Sequence, residues 1–440
     1  MVDNVEYSEV RTKRKRPKNM DCLEDELLGE ILCRLPSSKT VVMCKSVCKH
    51  WAATISQPFF INQFVAHKAN RRIIPSAHEN GASKYDELKM QMTSDRTFGL
   101  VVRNMCGDTR KGLVICFNDP INNPRDLSFS RLPKLANEGL TVVGACNDWL
   151  LYQKHERFRF YLYNVQTRQC FVLPSPSRRQ RITTRNIGFV CDSNYCNDTS
   201  YVVSSNLTPN EAYRACVAVI PYTFEAVTEF PAYLLSPSTG NMWRNVILSL
   251  PLRCQISGSR PMFWISRKLY FFCFDCLIGF DPFVDVKDGV IKCHSLPKPP
   301  SLVGSVSFFG VFHEQLYMCD REDNGRYRVW ILKDYETGQW SLRHSLMGQD
   351  WIARDHRLAE LVNQSPLFGN AIGFHPANPD VIYVLTRRWI IWCNLSTRKM
   401  EIACKLPKDT PCLIPAGGSF QITLPVWPTP VPILDVGGQD

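Results

Sequence analysis

The sequence predicts an α+β, multidomain chain: a small three-helix unit followed by an all-β propeller of roughly six blades. Three observations lead there. Apolar residues recur at helical spacing between Asp21 and Phe64. Beyond Phe98 the texture changes to short runs rich in β-branched and aromatic residues, separated by Pro, Gly, Asn and Asp. A loose strand–turn–strand repeat runs through them at intervals of roughly 45–70 residues, a little above the usual period of a four-stranded blade. The resulting division is a disordered basic tail over 1–20, the helical unit over 21–64, a polar linker over 65–97 and the β domain over 98–440.

In the helical unit, Leu27, Ile31 and Leu35 fall four apart with Leu28 and Leu32 beside them, so one helix carries a wide apolar stripe. Asp21 followed by Glu24 has capping-box spacing, and Glu24, Asp25 and Glu26 place negative charge at the positive end of the helix. Pro36 ends that helix and Ser37 or Ser38 caps the next, which runs to about Cys44. A third carries Val47, Cys48, Trp51 and Ile55 on one face before Pro58 stops it. Three short helices bury little surface alone, so they pack on the rest of the chain or on a partner.

In the β domain the repeat is an aromatic or aliphatic strand, a turn, and a second strand leading to Leu-Pro or similar. It reads as LYNVQTRQCFVLP (162–174), LLSPSTGNMW (234–243), IGFDPFVDV (278–286), WILKDYETGQW (330–340) and IIWCNLSTRKMEIACKLP (390–407). A non-propeller sandwich or barrel is the competing architecture. The proline-rich segment 425–434 is suited to an edge: a closing strand, or a cover on the outer surface.

Composition excludes several classes. With 45% hydrophobic and 21% charged residues the chain reads as ordinary globular protein, and no apolar run reaches the ~18 residues of a membrane span. The N-terminal segment has no apolar core of the secretory type, which points to a reducing compartment where the 19 cysteines are mostly buried thiols. The formal charge is +11, and six basic residues, Arg11, Lys13, Arg14, Lys15, Arg16 and Lys18, fall in one short run. It reads as a nuclear-localisation signal, so the expected location is nuclear, cytoplasmic or both. Nucleic-acid binding is disfavoured, since no aromatic residues interleave the charges.

Enzyme chemistry finds little footing. There is no phosphate-binding G-x-x-x-x-G-K-[ST] and no G-x-S-x-G elbow, and His78-Glu79 and His313-Glu314 lack a second His four residues on. Asp355, His356 and His375 have nothing to order them. Cys273-x-x-Cys276 is the one metal-like spacing. Read as one strand, LYFFCFDCLIGF puts those thiols on opposite faces, so no metal and no cofactor are expected. Arg178, Arg179, Arg181 and Arg185 form a second basic cluster, a solvated loop or a contact for an acidic peptide.

The helical stretch resembles an F-box, the motif that docks a substrate receptor on the Skp-family adaptor of a cullin-based ubiquitin ligase. The resemblance rests on Leu23, Leu27, Glu30, Ile31, Leu32, Arg34, Leu35, Pro36, Val41, Cys44, Lys45, Val47, Cys48, Lys49, Trp51, Ile55, Pro58 and Phe60. One departure is Glu24, where many members have proline. The β region is similar to the divergent, kelch-like F-box-associated propellers of plants, without paired kelch glycines. The resemblance implies an adaptor-binding set of Leu23, Leu27, Ile31, Leu32, Leu35, Pro36, Val47, Cys48, Trp51, Ile55, Pro58 and Phe60, with Trp51 as anchor. It further implies a cullin scaffold reached through the adaptor, and an unidentified target protein held by the propeller for ubiquitination and proteasomal degradation. On this reading the chain is a non-catalytic receptor. A ligase-independent scaffold and a propeller enzyme are the alternatives.

Overall fold

The computed structural model describes residues 24–71, 98–102, 114–119, 123–131, 140–154, 159–175, 185–193, 213–236, 242–256, 262–284, 286, 288–300, 305–312, 315–347, 350–353, 356, 358–360, 369–375, 378–386, 389–406 and 419–429. The chain divides into two compact units, Met1–Ile74 and Pro75–Asp440. No described helix is long and apolar enough to cross a membrane.

The first unit has four described helices rather than three: α1 (Asp25–Arg34), α2 (Ser38–Cys44), α3 (Lys49–Ser56) and α4 (Pro58–Arg71). Pro58 ends α3 and opens α4, because a first-turn residue has no intrahelical use for its N–H. Residue 65, the expected start of the linker, therefore lies inside a helix. Ser37 caps α2 by accepting the Thr40 amide at 3.3 Å, and the Cys48 thiol caps α3 by accepting the Trp51 amide at 3.4 Å. Glu24 is the N-cap of α1 and makes no side-chain capping bond.

The second unit is mostly β, and its described strands form six sheets in a β-propeller. The second sheet is a plain meander of β4 (Leu140–Cys146), β5 (Trp149–Lys154), β6 (Arg159–Asn164) and β7 (Cys170–Val172). The third consists of β8 (Arg185–Ser193), β9 (Tyr213–Pro221), β10 (Val227–Leu235) and β11 (Trp243–Cys254), with β15 (Val290–Lys292) added parallel at its edge. The fourth holds β12 (Phe263–Ile265), β13 (Lys268–Phe272), β14 (Cys276–Phe280) and β16 (His294–Pro297). The fifth is β17 (Ser305–Phe312), β18 (Gln315–Arg321), β19 (Tyr327–Asp334) and β20 (Gln339–Leu346). The sixth is β22 (Asn370–His375), β23 (Asn378–Leu385), β24 (Trp389–Asn394) and β25 (Lys399–Lys405), edged by the parallel β21 (Ile352–Ala353).

Ring closure falls in the first sheet. There β1 (Phe98–Val102), β2 (Val114–Asp119) and β3 (Asn123–Arg131) are joined by the last described strand, β26 (Ser419–Thr423), which pairs with β1 from Phe98↔Thr423 to Val102↔Ser419. The closing strand thus precedes the proline-rich segment. Residues 425–429 lie against the second sheet instead: Gln166 Nε2 donates to the Pro425 carbonyl at 3.0 Å, and the Thr429 amide donates to Asp148 Oδ2 at 3.1 Å.

Each neighbouring pair of sheets shares its own apolar core. Phe98, Leu100, Ile372 and Tyr383 belong to the interface of sheets one and six, and Val101, Phe420 and Leu150 to that of sheets one and two. Close approach of the sheets is set by glycine in β4, β8, β17 and β22. A Cβ on Gly144, Gly188, Gly310 or Gly373 would fall 2.8 Å or less from Phe189, Leu269, Phe374 or Leu100 of the next sheet. Gly310→Ala would set its methyl 2.4 Å from the Phe374 ring. It is expected to cost about 1–3 kcal/mol in urea unfolding, the usual range for overpacking.

The turns of the repeat share one construction. Asn164 Oδ1 accepts the amides of Gln166 and Thr167 at 2.9 and 2.8 Å, Asp334 Oδ1 that of Glu336 at 2.8 Å, and Asn394 Oδ1 that of Thr397 at 2.8 Å. Four residues after each Asx, Arg168, Gly338 and Arg398 take left-handed backbone, with φ of 62°, 68° and 58°. The Leu-Pro element has a partner as well. Trp243 and Trp340 donate their indole N–H to the carbonyls of Pro174 and Pro297, at 2.9 and 2.8 Å, and each bond crosses to the preceding sheet.

Asp380, at the start of β23, ties the fifth sheet to the sixth. It accepts from Arg343 Nε at 2.7 Å and Ser396 Oγ at 3.0 Å, and pairs with His344 Nε2 at 2.8 Å. Burial alone would raise its pKa; these partners outweigh burial and hold the carboxyl at about 2. A carboxyl depressed in the folded state stabilises the fold above its unfolded value of about 4. That contribution disappears as pH falls through about 2. Asp380→Asn is therefore expected to flatten the acid limb of a melting-temperature profile between those values, and an unchanged limb would assign acid lability to other carboxylates.

Candidate functional site

The helical unit sorts its apolar side chains into two sets. Leu28, Gly29, Leu32 and Cys33 are buried on one side of α1, where they join Val41, Ile55, Phe60 and Phe64. The unit is further tied by Lys68 of α4, whose ammonium donates to the Leu35 carbonyl at the end of α1 and lies 5.2 Å from the Phe64 ring centre. His50 of α3 pairs with Asp25 of α1 at 3.0 Å. These buried side chains form the small core of the unit.

The second set points away from that core. Leu27 and Ile31, four apart on the other side of α1, are each 50% exposed, and Val47, between α2 and α3, is 53% exposed. Met43 and Phe59 are exposed too. Pro36 and Pro58 are exposed, whereas Leu35, Cys48 and Trp51 are partly buried. Three of the residues expected to meet an adaptor do not face outward. Leu32, Ile55 and Phe60 are 1%, 0% and 2% exposed, because α4, which carries Phe60, packs against α1 and α3. They hold the unit together; of the other residues expected to meet an adaptor, Leu27, Ile31, Pro36, Val47 and Pro58 are exposed and Leu35, Cys48 and Trp51 partly buried. Met43 and Phe59 join the exposed set; their alternation with buried Val41 and Phe60 is visible only once helix directions are known. Leu23 and Asp21 lie outside the described residues, as do Arg11 to Lys18 and Arg178, Arg179 and Arg181.

Among the described residues of the propeller, charged groups are gathered in buried and partly buried clusters. Asp320 of β18, 0% exposed, receives Arg328 Nε at 3.1 Å and Trp330 Nε1 at 2.8 Å, and Arg328 Nη1 also meets Glu322 at 2.8 Å. Burial lowers the pKa of His375 to about 4, so its imidazole is neutral at pH 7. The Cys273–Cys276 segment corrects a sequence expectation. It is a hairpin turn, not a through-running strand: the Cys273 amide donates to the Cys276 carbonyl at 2.9 Å, and β13 and β14 flank it antiparallel. The two thiols therefore share a side, and Cys254 at the end of β11 joins them, all three sulfurs lying within 4.8 Å of one another. Nothing in the local spacing pointed to Cys254, which is 19 residues from Cys273.

The fold and the helical unit define a class: a β-propeller protein carrying a short helical segment with exposed apolar side chains. Comparison with known proteins adds a relative at a distance. Over 461 aligned residues the chain is 22% identical to a protein of Arabidopsis thaliana described as a putative F-box/kelch-repeat protein, covering 97% of this chain and 99% of that one. No protein-family model matches the chain. Among solved structures, a protein from Lactobacillus plantarum overlaps 71% of this chain and 97% of its own at 11% identity and a TM-score of 0.36. A periplasmic gluconolactonase of Pseudomonas aeruginosa overlaps 75% and 100%, at 11% identity and a TM-score of 0.33. Likenesses this loose carry no functional argument.

Proposed function

We propose that the chain is a substrate-recognition subunit of a Skp–cullin–F-box ubiquitin ligase. The helical unit docks on a Skp-family adaptor and through it on a cullin, and the propeller holds a target protein for ubiquitination. One observation carries the reading: Leu27, Ile31 and Val47 stay half-exposed on a unit that buries other apolar residues, Leu28, Leu32, Val41, Ile55, Phe60 and Phe64, in its own core. Isolated exposed apolar residues need no explanation, but several on one small helical unit favour a partner. The distant F-box/kelch relative, aligned along nearly the whole chain, points the same way.

On this reading the chain makes and breaks no bonds. It supplies proximity, raising the effective concentration of the target near the conjugating enzyme. The basic run from Arg11 to Lys18 serves nuclear import. Trp51, partly buried beside the exposed set, anchors the interface, and Trp51→Ala is expected to cost about 2 kcal/mol or more of adaptor affinity in a calorimetric titration. Unchanged affinity would remove the anchor role. A chain that retains the adaptor but never co-purifies with a cullin would be a ligase-independent scaffold instead.

A further inference from the structure

We propose that Cys254, Cys273 and Cys276 form a three-thiolate site for a divalent thiophilic cation, zinc by preference, which staples the third sheet of the propeller to the fourth. The three thiols come from different strand ends. Cys254 closes β11, while Cys273 and Cys276 face each other across the β13–β14 turn. Backbone bonding holds the two segments in register: Ile256 bridges to Cys273, and the Phe274 amide donates to the Gln255 carbonyl at 3.1 Å.

The spacing of the sulfurs is compatible with a shared ion. The Cys254 and Cys273 sulfurs are 3.2 Å apart and the whole trio fits within 4.8 Å. A cation bound at about 2.3 Å to three sulfurs in tetrahedral or trigonal geometry separates them by about 3.8–4.0 Å, inside that range. Thiolate ligands also select soft ions over magnesium or calcium. Among the described residues the trio is the one group of three or more His, Cys, Asp or Glu with ligand atoms close enough to share an ion. The fourth position is left to a ligand from solution.

Charge and access agree with a divalent ion. Three thiolates around it leave one net negative charge. The Lys298 ammonium, which donates to the Phe274 carbonyl inside the same turn, is placed to offset that charge. The thiols themselves are buried, yet the turn above them is open, with Phe274 and Asp275 both exposed. The sulfurs thus lie directly beneath an exposed turn.

The test uses the reduced, metal-free full chain titrated with Cd²⁺, followed by the sulfur-to-cadmium charge-transfer absorption, and then competed with Zn²⁺. The expected result is one tight equivalent that Zn²⁺ displaces. Affinity should fall at least 10-fold in Cys254→Ala/Cys276→Ala and stay unchanged in Cys216→Ala/Cys404→Ala. X-ray absorption of the zinc-loaded wild type should show a first shell with three sulfurs, a readout that survives even if the double variant fails to fold. An absent equivalent, a shell of nitrogen and oxygen, or equal binding by both double variants would overturn the proposal. None of these outcomes depends on adaptor docking.

Discussion

Replacing Leu27 and Ile31 together by aspartate is expected to weaken binding of a Skp-family adaptor by at least about 100-fold, equivalent to about 2.7 kcal/mol, while leaving the fold intact. Both side chains are half-exposed on the side of α1 opposite its buried residues, so carboxylates there remain hydrated in the free chain. At an interface the same groups lose water without a partner, which costs several kcal/mol for a charge, and the apolar contact is lost as well. Leu28→Asp supplies the contrast. That residue is fully buried, so the substitution should unfold the helical unit and lower its circular-dichroism signal. Wild-type adaptor affinity in the Leu27/Ile31 variant would remove the observation on which the functional reading rests.

Much of this was legible in the sequence, for physical reasons. Local signals translated well. Pro36 ended α1, Ser37 capped α2, and the β-branched and aromatic runs became strands. The turn repeat was visible because Asx side chains fix their own backbone two and three residues on. What failed depended on long-range placement. The apolar stripe of α1 is wide enough to hold both Leu27 and Ile31 and Leu28 and Leu32, so periodicity could not say which would be covered by α4 and which would stay exposed. Leu32, Ile55 and Phe60 were therefore assigned to a partner when they serve the unit's own core. In the β region LYFFCFDCLIGF, read as a single strand, proved to be a hairpin without Gly or Pro at the bend. The glycines of β4, β8, β17 and β22 were the strongest missed repeat, since their meaning lies in the neighbouring sheet.

The larger expected loss of stability in the propeller comes from Arg328→Met. Arg328 and Asp320 are cross-strand partners on β19 and β18, 7% and 0% exposed as side chains. The guanidinium meets the Asp320 carboxylate through Nε and Nη2 and reaches Glu322 with Nη1. It also lies 5.5 Å from the Trp330 ring, whose indole N–H holds the other oxygen of Asp320. Methionine fills much of the same volume but leaves the buried carboxylate with the indole N–H and without its cation. Breaking a buried pair in this way costs about 3–5 kcal/mol, far more than loss of an exposed pair such as Glu30–Arg34. Replacing both charges, as Asp320→Leu/Arg328→Met, removes the stranded charge and should recover much of that loss. The urea midpoints of the two single variants and the double variant form a cycle that measures this coupling. Additive losses across the cycle would mean that the two charges do not depend on each other, and that packing around Trp330 sets the stability of the fifth sheet.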